Sequence, residues 1–527
     1  MSLSTVLAVI FGGILAGYAF VMCSMRLVAI LQQEGYAGGA FLRWYYRSRN
    51  IERKKASLLA LALALLTALF SVCFSFLGYE AANLISVVPF AGICILYCVA
   101  EHKRALRVPL KPTMRAMRLA IAYLIVMFAL CVGLGFALVA VSMAADTDWV
   151  YLLRFVPFAL VPLLCPPVLA FVNVCMKAYE APHANKFVKR AQAALAESGA
   201  VKVGITGSFG KTSVKNFAAV ILSEKYKVIA TPASYNTPAG IARTVNEGGL
   251  DCEIFLAEMG ARRTGDISEL CDIVRPTVGV VTGVCAQHAE TFGSLDAIRA
   301  EKGVLARRTE QCVLGRSVAD MDGGNALVMG RDFDAEDIVL STENTRFTLR
   351  LPQGSIPVTV PVLGRHAAED VALAAALCSL LGMTVEEIAA GIAGIAPVPH
   401  RLERREGNGV VILDDAYNCN AEGAKNAVEV LRLAVGRKFV VTPGIVELGQ
   451  LEEEVNGALG AALVGLDRVI LVGETLVLDV RSGYLSAGGD ESRLTIVPTL
   501  QKAQELLAKE LSAGDCVLFL NDLPDKY

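Results

Sequence analysis

The chain of 527 residues reads as multi-domain: an α-helical transmembrane bundle, then an α/β domain opening on a P-loop, then a C-terminal α/β, Rossmann-like domain. Three observations predict this. Residues 1–178 carry long apolar runs separated by short loops. From residue 182 onward, short β-branched runs alternate with amphipathic segments. The first of those runs leads into a glycine loop that ends in Lys-Thr.

The apolar runs cover about 3–30, 57–78, 85–100, 119–144 and 150–176. A helix needs roughly 20 residues to cross a bilayer core, and four of the five runs reach that length; the third is shorter. The first run lacks a basic segment before it and is too long for a cleaved signal peptide. The loop near 31–56 holds Arg43, Arg47, Arg49, Arg53, Lys54 and Lys55. The loop near 101–118 holds Lys103, Arg104, Arg107, Lys111, Arg115 and Arg118. The other two loops, Tyr79 to Asn83 and Asp146-Thr147-Asp148, have no Lys or Arg. Basic loops stay in the cytoplasm. Five spans then place the amino terminus outside and the remainder inside, a multi-pass arrangement in a bacterial-type cell membrane. The spans contain almost no charge, which points to anchoring rather than transport, with a lipid groove between helices as the other use.

Composition narrows the function classes. Hydrophobic residues make up 54% and charged ones 19%, so the excess apolarity matches the membrane half. A net charge of −2 leaves no basic surface for bulk nucleic-acid binding. The 14 cysteines are scattered, form no CxxC pair and read as reduced, mostly buried thiols.

Candidate strands in the first α/β domain (182–397) are Val201–Ile205, Lys227–Ala230, Ile254–Ala257, Val278–Thr282 and Cys312–Leu314, with hairpin-like strands within 335–362. After Pro397-Val398-Pro399 a second domain (398–527) has strands at Val410–Leu413, Phe439–Thr442, Val469–Val472 and Val517–Leu520.

The first strand runs into Thr206-Gly207-Ser208-Phe209-Gly210-Lys211-Thr212-Ser213 and then a helical stretch. That context suits a phosphate loop. Gly207 and Gly210 let backbone N–H groups approach phosphates, and the helix start adds partial positive charge. Lys211 can reach the β/γ-phosphates, and the Thr212 hydroxyl can ligate Mg²⁺. Ile205 stands where the strict pattern has glycine, so this is the shorter GxxGKT form.

Further segments follow in order: Ser234-Tyr235-Asn236-Thr237-Pro238-Ala239-Gly240, Glu258-Met259-Gly260, His288-Ala289-Glu290-Thr291-Phe292-Gly293-Ser294 and Glu301-Lys302-Gly303. Gly364-Arg365-His366, Arg401, Asp414-Asp415-Ala416-Tyr417-Asn418-Cys419-Asn420 and Glu447-Leu448-Gly449 complete the series. With the loop from Gly204 to Lys215, they resemble the Mur ligase family, most closely its MurF-like members, over roughly 200–475. The resemblance implies an ATP- and Mg²⁺-dependent acid–amino-acid ligase acting through an acyl phosphate. It implies Thr212, Glu258 and His288 as metal ligands and Lys302 as a lysine carrying a carbamate. Gly207, Ser208, Gly210, Lys211, Thr212, Ser213, His366, Asp370, Arg401 and Asp415 would hold nucleotide. Ser234, Asn236, Thr237, Tyr417, Asn418 and Asn420 would line the substrate side. Lys211, Lys302, His288 and Glu258 would form the catalytic set. His102 and His400 read as structural.

Three departures qualify the substrates. Membrane helices stand where MurF-like enzymes have a soluble uridine-binding domain. Asp370 replaces the asparagine expected at the adenine and loses its donor. The C-terminal KGSR-like segment is absent. The acceptor is then a muramoyl-peptide-like or a lipid-linked carboxylate, the amine an amino acid or dipeptide, and membrane lipid a further partner. A reading of another class is an ATP-regulated membrane transporter or scaffold. The resemblance at Glu258, His288 and Lys302 favours catalysis, because a sensor needs no second-metal apparatus.

Overall fold

The computed structural model describes residues 3–46, 50–103, 110–144, 156–285, 289–417, 419–446, 448–473 and 476–520. The expected site residues His288 and Asn418, and Glu447 of the quoted motifs, lie outside them. The chain forms two compact units that divide between His183 and Ala184.

The first unit is helical. Its main helices are α1 (Leu3–Gln33), α2 (Gly38–Tyr45), α3 (Ile51–Cys73), α4 (Tyr79–Lys103), α5 (Met114–Ala144) and α6 (Val161–Glu197). Among the described residues, four helical segments are long and apolar enough to cross a membrane: Val9–Gln33, Ile51–Cys73, Met114–Ala144 and Val156–Glu197. The expected third span is helix α4, which contains Pro89 and is not among the four. Residues 178–182, expected as the boundary between helical and α/β parts, lie within helix α6.

Small residues let α1 and α5 touch. A Cβ on Gly13 would meet Val132 Cα at 2.7 Å, and one on Gly17 would meet Phe128 Cδ1 at 2.8 Å. Spaced four apart, the two glycines share one helix face, the small-xxx-small device of membrane helix pairs. Phe20, Val28, Leu63, Tyr123, Met127 and Leu169 fill the interior, and the Ser24 hydroxyl bonds the Tyr123 hydroxyl at 2.8 Å. Leu58, Leu61, Leu65 and Leu69 of α3 and Ile121 and Ile125 of α5 face outward and are exposed. So much outward apolar surface suits lipid rather than water.

The second unit holds two parallel-rich sheets and a small antiparallel one. In the first sheet, strands β1 (Val201–Thr206), β2 (Val228–Ala230), β3 (Ile254–Glu258), β4 (Val278–Val281), β5 (Gln311–Leu314) and β6 (Ala326–Val328) order as β2-β3-β1-β4-β5-β6, all parallel. Helices cover both faces, so β3 and β4 are apolar and buried along their lengths. β7 (Asp334–Leu340), β8 (Thr345–Leu351) and β9 (Gly354–Val360) form the antiparallel sheet.

The last sheet runs β10-β11-β15-β12-β13-β14, with β10 (Glu403–Gly407) antiparallel to β11 (Val410–Asp415). β12 (Lys438–Thr442), β13 (Arg468–Val472), β14 (Leu494–Val497) and β15 (Cys516–Leu520) are parallel neighbours. Every strand expected from the sequence is present. The short edge strands β6 and β14 and the charged β10, Glu-Arg-Arg-Glu-Gly, were not expected, since edges need no apolar alternation.

Candidate active site

The carboxyl ends of β1, β3 and β4 meet where the strand order reverses, the usual place for a ligand crevice in an open parallel sheet. The loop after β1 turns on Gly207 (φ 149°) and Gly210 (φ 73°). A Cβ on Gly207 would overlap the Thr282 hydroxyl, and one on Gly210 would overlap Asp370 Oδ1. No side chain larger than hydrogen fits at either place. Thr282 donates to the Phe209 carbonyl, and the Ser208 N–H donates to the Gly283 carbonyl at 2.8 Å. The loop is thus held by the end of β4 before any phosphate arrives.

Lys211 begins helix α7 (Lys211–Leu222), and its ammonium donates to the Gly207 and Ser208 carbonyls at 2.7 and 3.2 Å. Burial lowers its pKa against the opposing pull of Glu258. Those carbonyls occupy donors that a polyanion would otherwise take.

Glu258 ends β3 and is 1% exposed. Its Oε2 accepts from the Thr212 hydroxyl at 3.0 Å and faces the Lys215 ammonium at 3.1 Å; its Oε1 accepts from Asn236 at 3.1 Å. Lys215 is itself 1% exposed and also donates to the Ala233 carbonyl. Sequence reasoning gave Lys215 no role. The signal was present: Lys211 and Lys215 are four apart on one helix face, and a buried second cation there requires an anion.

Lys302 lies on Leu295–Arg308, 3% exposed. Burial, followed by the charge of Lys211, brings its pKa down to about 7. Beside it, Glu301 accepts from the Gly265 and Ile267 N–H groups at 2.9 and 2.7 Å, fixing the start of Asp266–Val274.

The far wall comes from the junction and the last domain. Arg401 sits between His400 (φ 60°) and Leu402 (φ 49°), two left-handed non-glycine residues. Such backbone costs on the order of 1–2 kcal/mol per residue and needs outside support. Asp414 and Asp415 supply it: Asp414 Oδ2 lies 2.9 Å from His400 Nδ1, and Asp415 Oδ1 accepts from the Leu402 N–H at 3.1 Å. Arg401 donates to the Tyr417 carbonyl at 2.9 Å and stacks over its ring at 4.8 Å. The Tyr417 hydroxyl reaches Ser234 at 3.1 Å, joining the two walls. Burial lifts the Asp415 carboxyl to about 6.

Asp370 is 3% exposed, hydrogen-bonded to Ser213, and raised by burial to about 8. It abuts the phosphate loop. His366 is half-buried, its pKa pushed down to about 4 mainly by desolvation, and its buried Nδ1 has no hydrogen-bond partner among the described residues.

One cleft of about 550 Å³ gathers these groups. Gly207, Ser208, Gly210, Lys211, Thr212, Ser213, Ser234, Asn236, Thr237, Glu258 and Lys302 line it from one domain. His366 and Asp370 follow, then Arg401, Asp415, Tyr417 and Asn420 from the junction and the last domain. Every expected site residue among the described residues therefore faces this cleft. The donors suit an oxygen-rich anion, and the adjacent Thr212 and Glu258 oxygens suit a hard divalent cation.

Comparison with known proteins agrees with this geometry. Residues 205–378 match the Mur ligase middle domain, and residues 400–521 match the Mur ligase, glutamate ligase domain. The UDP-N-acetylmuramoyl-tripeptide–D-alanyl-D-alanine ligase of Escherichia coli is 32% identical over 292 residues, covering 52% of this chain and 64% of that protein. This chain thus spans just under two thirds of that relative's length. The Mycobacterium bovis ligase of the same name is 29% identical over 372 residues, covering 63% and 72%. The crystal structure of MurF ligase from Thermotoga maritima in complex with ADP superposes with a TM-score of 0.58 at 27% identity, covering 64% of this chain and 80% of that one. Two matched domains in the family's order, folded around one phosphate-loop cleft, leave one assignment: the chain belongs to the Mur ligase family.

Proposed function

We propose that this chain is an ATP-dependent carbon–nitrogen ligase of the MurF type, acting in peptidoglycan precursor or related cell-envelope synthesis. The acceptor carboxylate attacks the γ-phosphorus, giving an acyl phosphate and ADP. The amine then attacks the acyl carbon, the C–O bond to the bridging oxygen breaks, and inorganic phosphate leaves with that former carboxylate oxygen as the new amide nitrogen gives up a proton. A single observation carries the reading: the phosphate loop, the Thr212–Glu258 oxygen pair, the buried Lys302 amine and Arg401 face one cleft between two domains.

The chain's own groups divide the work. Backbone N–H groups from Gly207 to Thr212 hold the β- and γ-phosphates, and Lys211 exchanges its loop carbonyls for phosphate oxygens. Thr212, Glu258 and His288 would hold Mg²⁺, which neutralises phosphate charge as transfer proceeds. Lys302 would carry a carbamate, turning a cation near this site into an anion. Arg401, Asp415, His366 and Asp370 hold nucleotide across the interdomain cleft. Ser234, Asn236, Thr237, Tyr417, Asn418 and Asn420 orient acceptor and amine. The gain comes mainly from orientation and charge placement.

The helical unit keeps the ligase at the cytoplasmic face of a cell membrane, as the basic loops suggest. Its four apolar segments favour a second reading with the same chemistry: a lipid-linked carboxylate as acceptor.

The test is ATP-dependent phosphate release by the detergent-purified chain, with Lys211→Ala as control. One reaction offers UDP-muramoyl-tripeptide with D-Ala-D-Ala; the other offers a membrane-lipid extract with mixed amino acids. Release with the first pair supports the MurF activity, and release only with the extract selects the lipid-linked acceptor. Turnover that ignores both, or that survives in Lys211→Ala, overturns the ligase reading.

A further inference from the structure

A charged side chain lies inside the first apolar helix. Arg26 precedes the end of α1 at Gln33 by about two turns, roughly 10 Å along the axis. A charge held inside an apolar helix near its end usually has a partner or a ligand. The Arg26 Nε lies 3.3 Å from Glu52 Oε1 in the first turn of α3. Neither its Nε nor its Nη1 makes a hydrogen bond, and both atoms are buried. The Tyr45 hydroxyl is in the same condition, on a side chain only 2% exposed.

These groups face one place. Arg26, Tyr45 and Glu52 line a small cavity of about 30 Å³, open on one side, with Ser24, Tyr97 and Cys165 in its wall. Each buried donor left without an acceptor costs about 1–3 kcal/mol, and more when charged. A lone water offers two lone pairs, whereas Arg26 and Tyr45 bring three donor atoms. A group with several oxygens answers them better.

The surrounding charge selects its sign. Lys55 pairs with Glu101, Arg53 lies over the Tyr46 ring and donates to the Tyr46 carbonyl, and Glu52 faces Arg26. Among the described residues, these contacts set the cations Arg26, Arg53 and Lys55 beside the carboxylates of Glu52 and Glu101. All sit where α1 ends, α3 begins and α4 ends. In a membrane-spanning bundle that end lies at headgroup depth, where phosphate esters are the abundant anions.

We infer that Arg26 and Tyr45 form a binding site for a phosphate ester, with one phosphate oxygen entering the cavity and the rest of the group at its mouth. The site is separate from the ligase cleft and stands on the helical unit alone.

The experiment uses the full chain in nanodiscs of phosphatidylcholine, with or without phosphatidylglycerol. Retained lipid is counted by native mass spectrometry after transfer to detergent. Soluble glycerol 3-phosphate is titrated in a parallel arm by thermal shift. Arg26→Gln is expected to weaken binding roughly tenfold, and Tyr45→Phe, which removes one hydroxyl and leaves the ring packing, severalfold. Unchanged melting of Tyr45→Phe without ligand guards against misfolding. Variant-sensitive retention of phosphatidylglycerol assigns a lipid headgroup; a variant-sensitive shift with glycerol phosphate assigns a soluble ester. Binding in neither arm, or binding that both variants leave intact, overturns the inference.

Discussion

Lys302 offers the sharpest test of the cleft's chemistry. With its pKa brought to about 7, roughly three quarters of the amines are neutral at pH 7.5, against about one in a thousand for an ordinary lysine. Only the neutral amine attacks CO₂, so carbamate formation gains several hundredfold in available nucleophile, roughly speaking. The same shift has a stability signature. The folded pKa lies below the unfolded value, so the unfolded chain binds more protons between about pH 7 and 10.5. Stability therefore rises with pH across that window, and the full penalty applies below it. At about 1.4 kcal/mol per unit, that penalty is of order 5 kcal/mol as an upper bound. Lys302→Met should raise the melting temperature of the ligase half at pH 6–7 and flatten its rise toward pH 10. The measurement is thermal unfolding of the detergent-purified chain in CO₂-free buffer. A companion ¹³C NMR spectrum with labelled bicarbonate should show a carbamate resonance in the native protein and none in the variant. A native melting curve flat from pH 7 to 10, together with no carbamate resonance, would refute the reasoning.

Other outcomes follow from the same geometry. Lys211→Ala should lower ATP turnover by about two orders of magnitude or more, measured as phosphate release. Lys215→Met removes the ion-pair partner of buried Glu258 and leaves the neutral Thr212 and Asn236 groups as its hydrogen-bond donors, and should destabilise the ligase half by about 3 kcal/mol or more. Lys215→Arg should recover part of that, and equal melting temperatures for native and Met chains would show the pair to be inert. For Asp370 the folded pKa is raised to about 8, so stability falls as pH climbs from about 4 to 8. Asp370→Asn escapes that fall, so its advantage in melting temperature should grow over this range and level off above it; a constant difference would contradict the shift.

Much of this arrangement was legible beforehand because local chemistry dictated it. A strand running into Gly207, Gly210 and Lys211 and then a helix has the local form that cradles an anion, and short apolar runs of β-branched residues alternating with amphipathic segments suit interior parallel strands. What escaped depended on partners distant in sequence. Lys215 is an unremarked helix lysine until β3 delivers Glu258 to it. Arg26 vanishes in a hydropathy average that tolerates one charge, and becomes visible once α2 and α3 bring Tyr45 and Glu52 against it. Asp414 and Asp415 read as a turn or a nucleotide contact; that their oxygens also hold the His400 ring and the Leu402 N–H on either side of Arg401 depends on partners the local sequence does not show. Asp370, read from the sequence as a nucleotide contact, lies against Gly210 of the phosphate loop, a neighbour that sequence spacing alone does not reveal.

The three-way hold on Glu258 bears on turnover. Its carboxylate is already shared among Thr212, Lys215 and Asn236, so a divalent cation bound as proposed would displace established partners rather than fill a vacancy. The free energy of that exchange is subtracted from cation affinity, and it is returned when the cation leaves. On the proposed metal role, retention of spent nucleotide and metal would be weakened, with the carboxylate reoccupied by its own neighbours as the products depart. A metal site built this way would trade tight resting occupancy for rapid clearing between cycles.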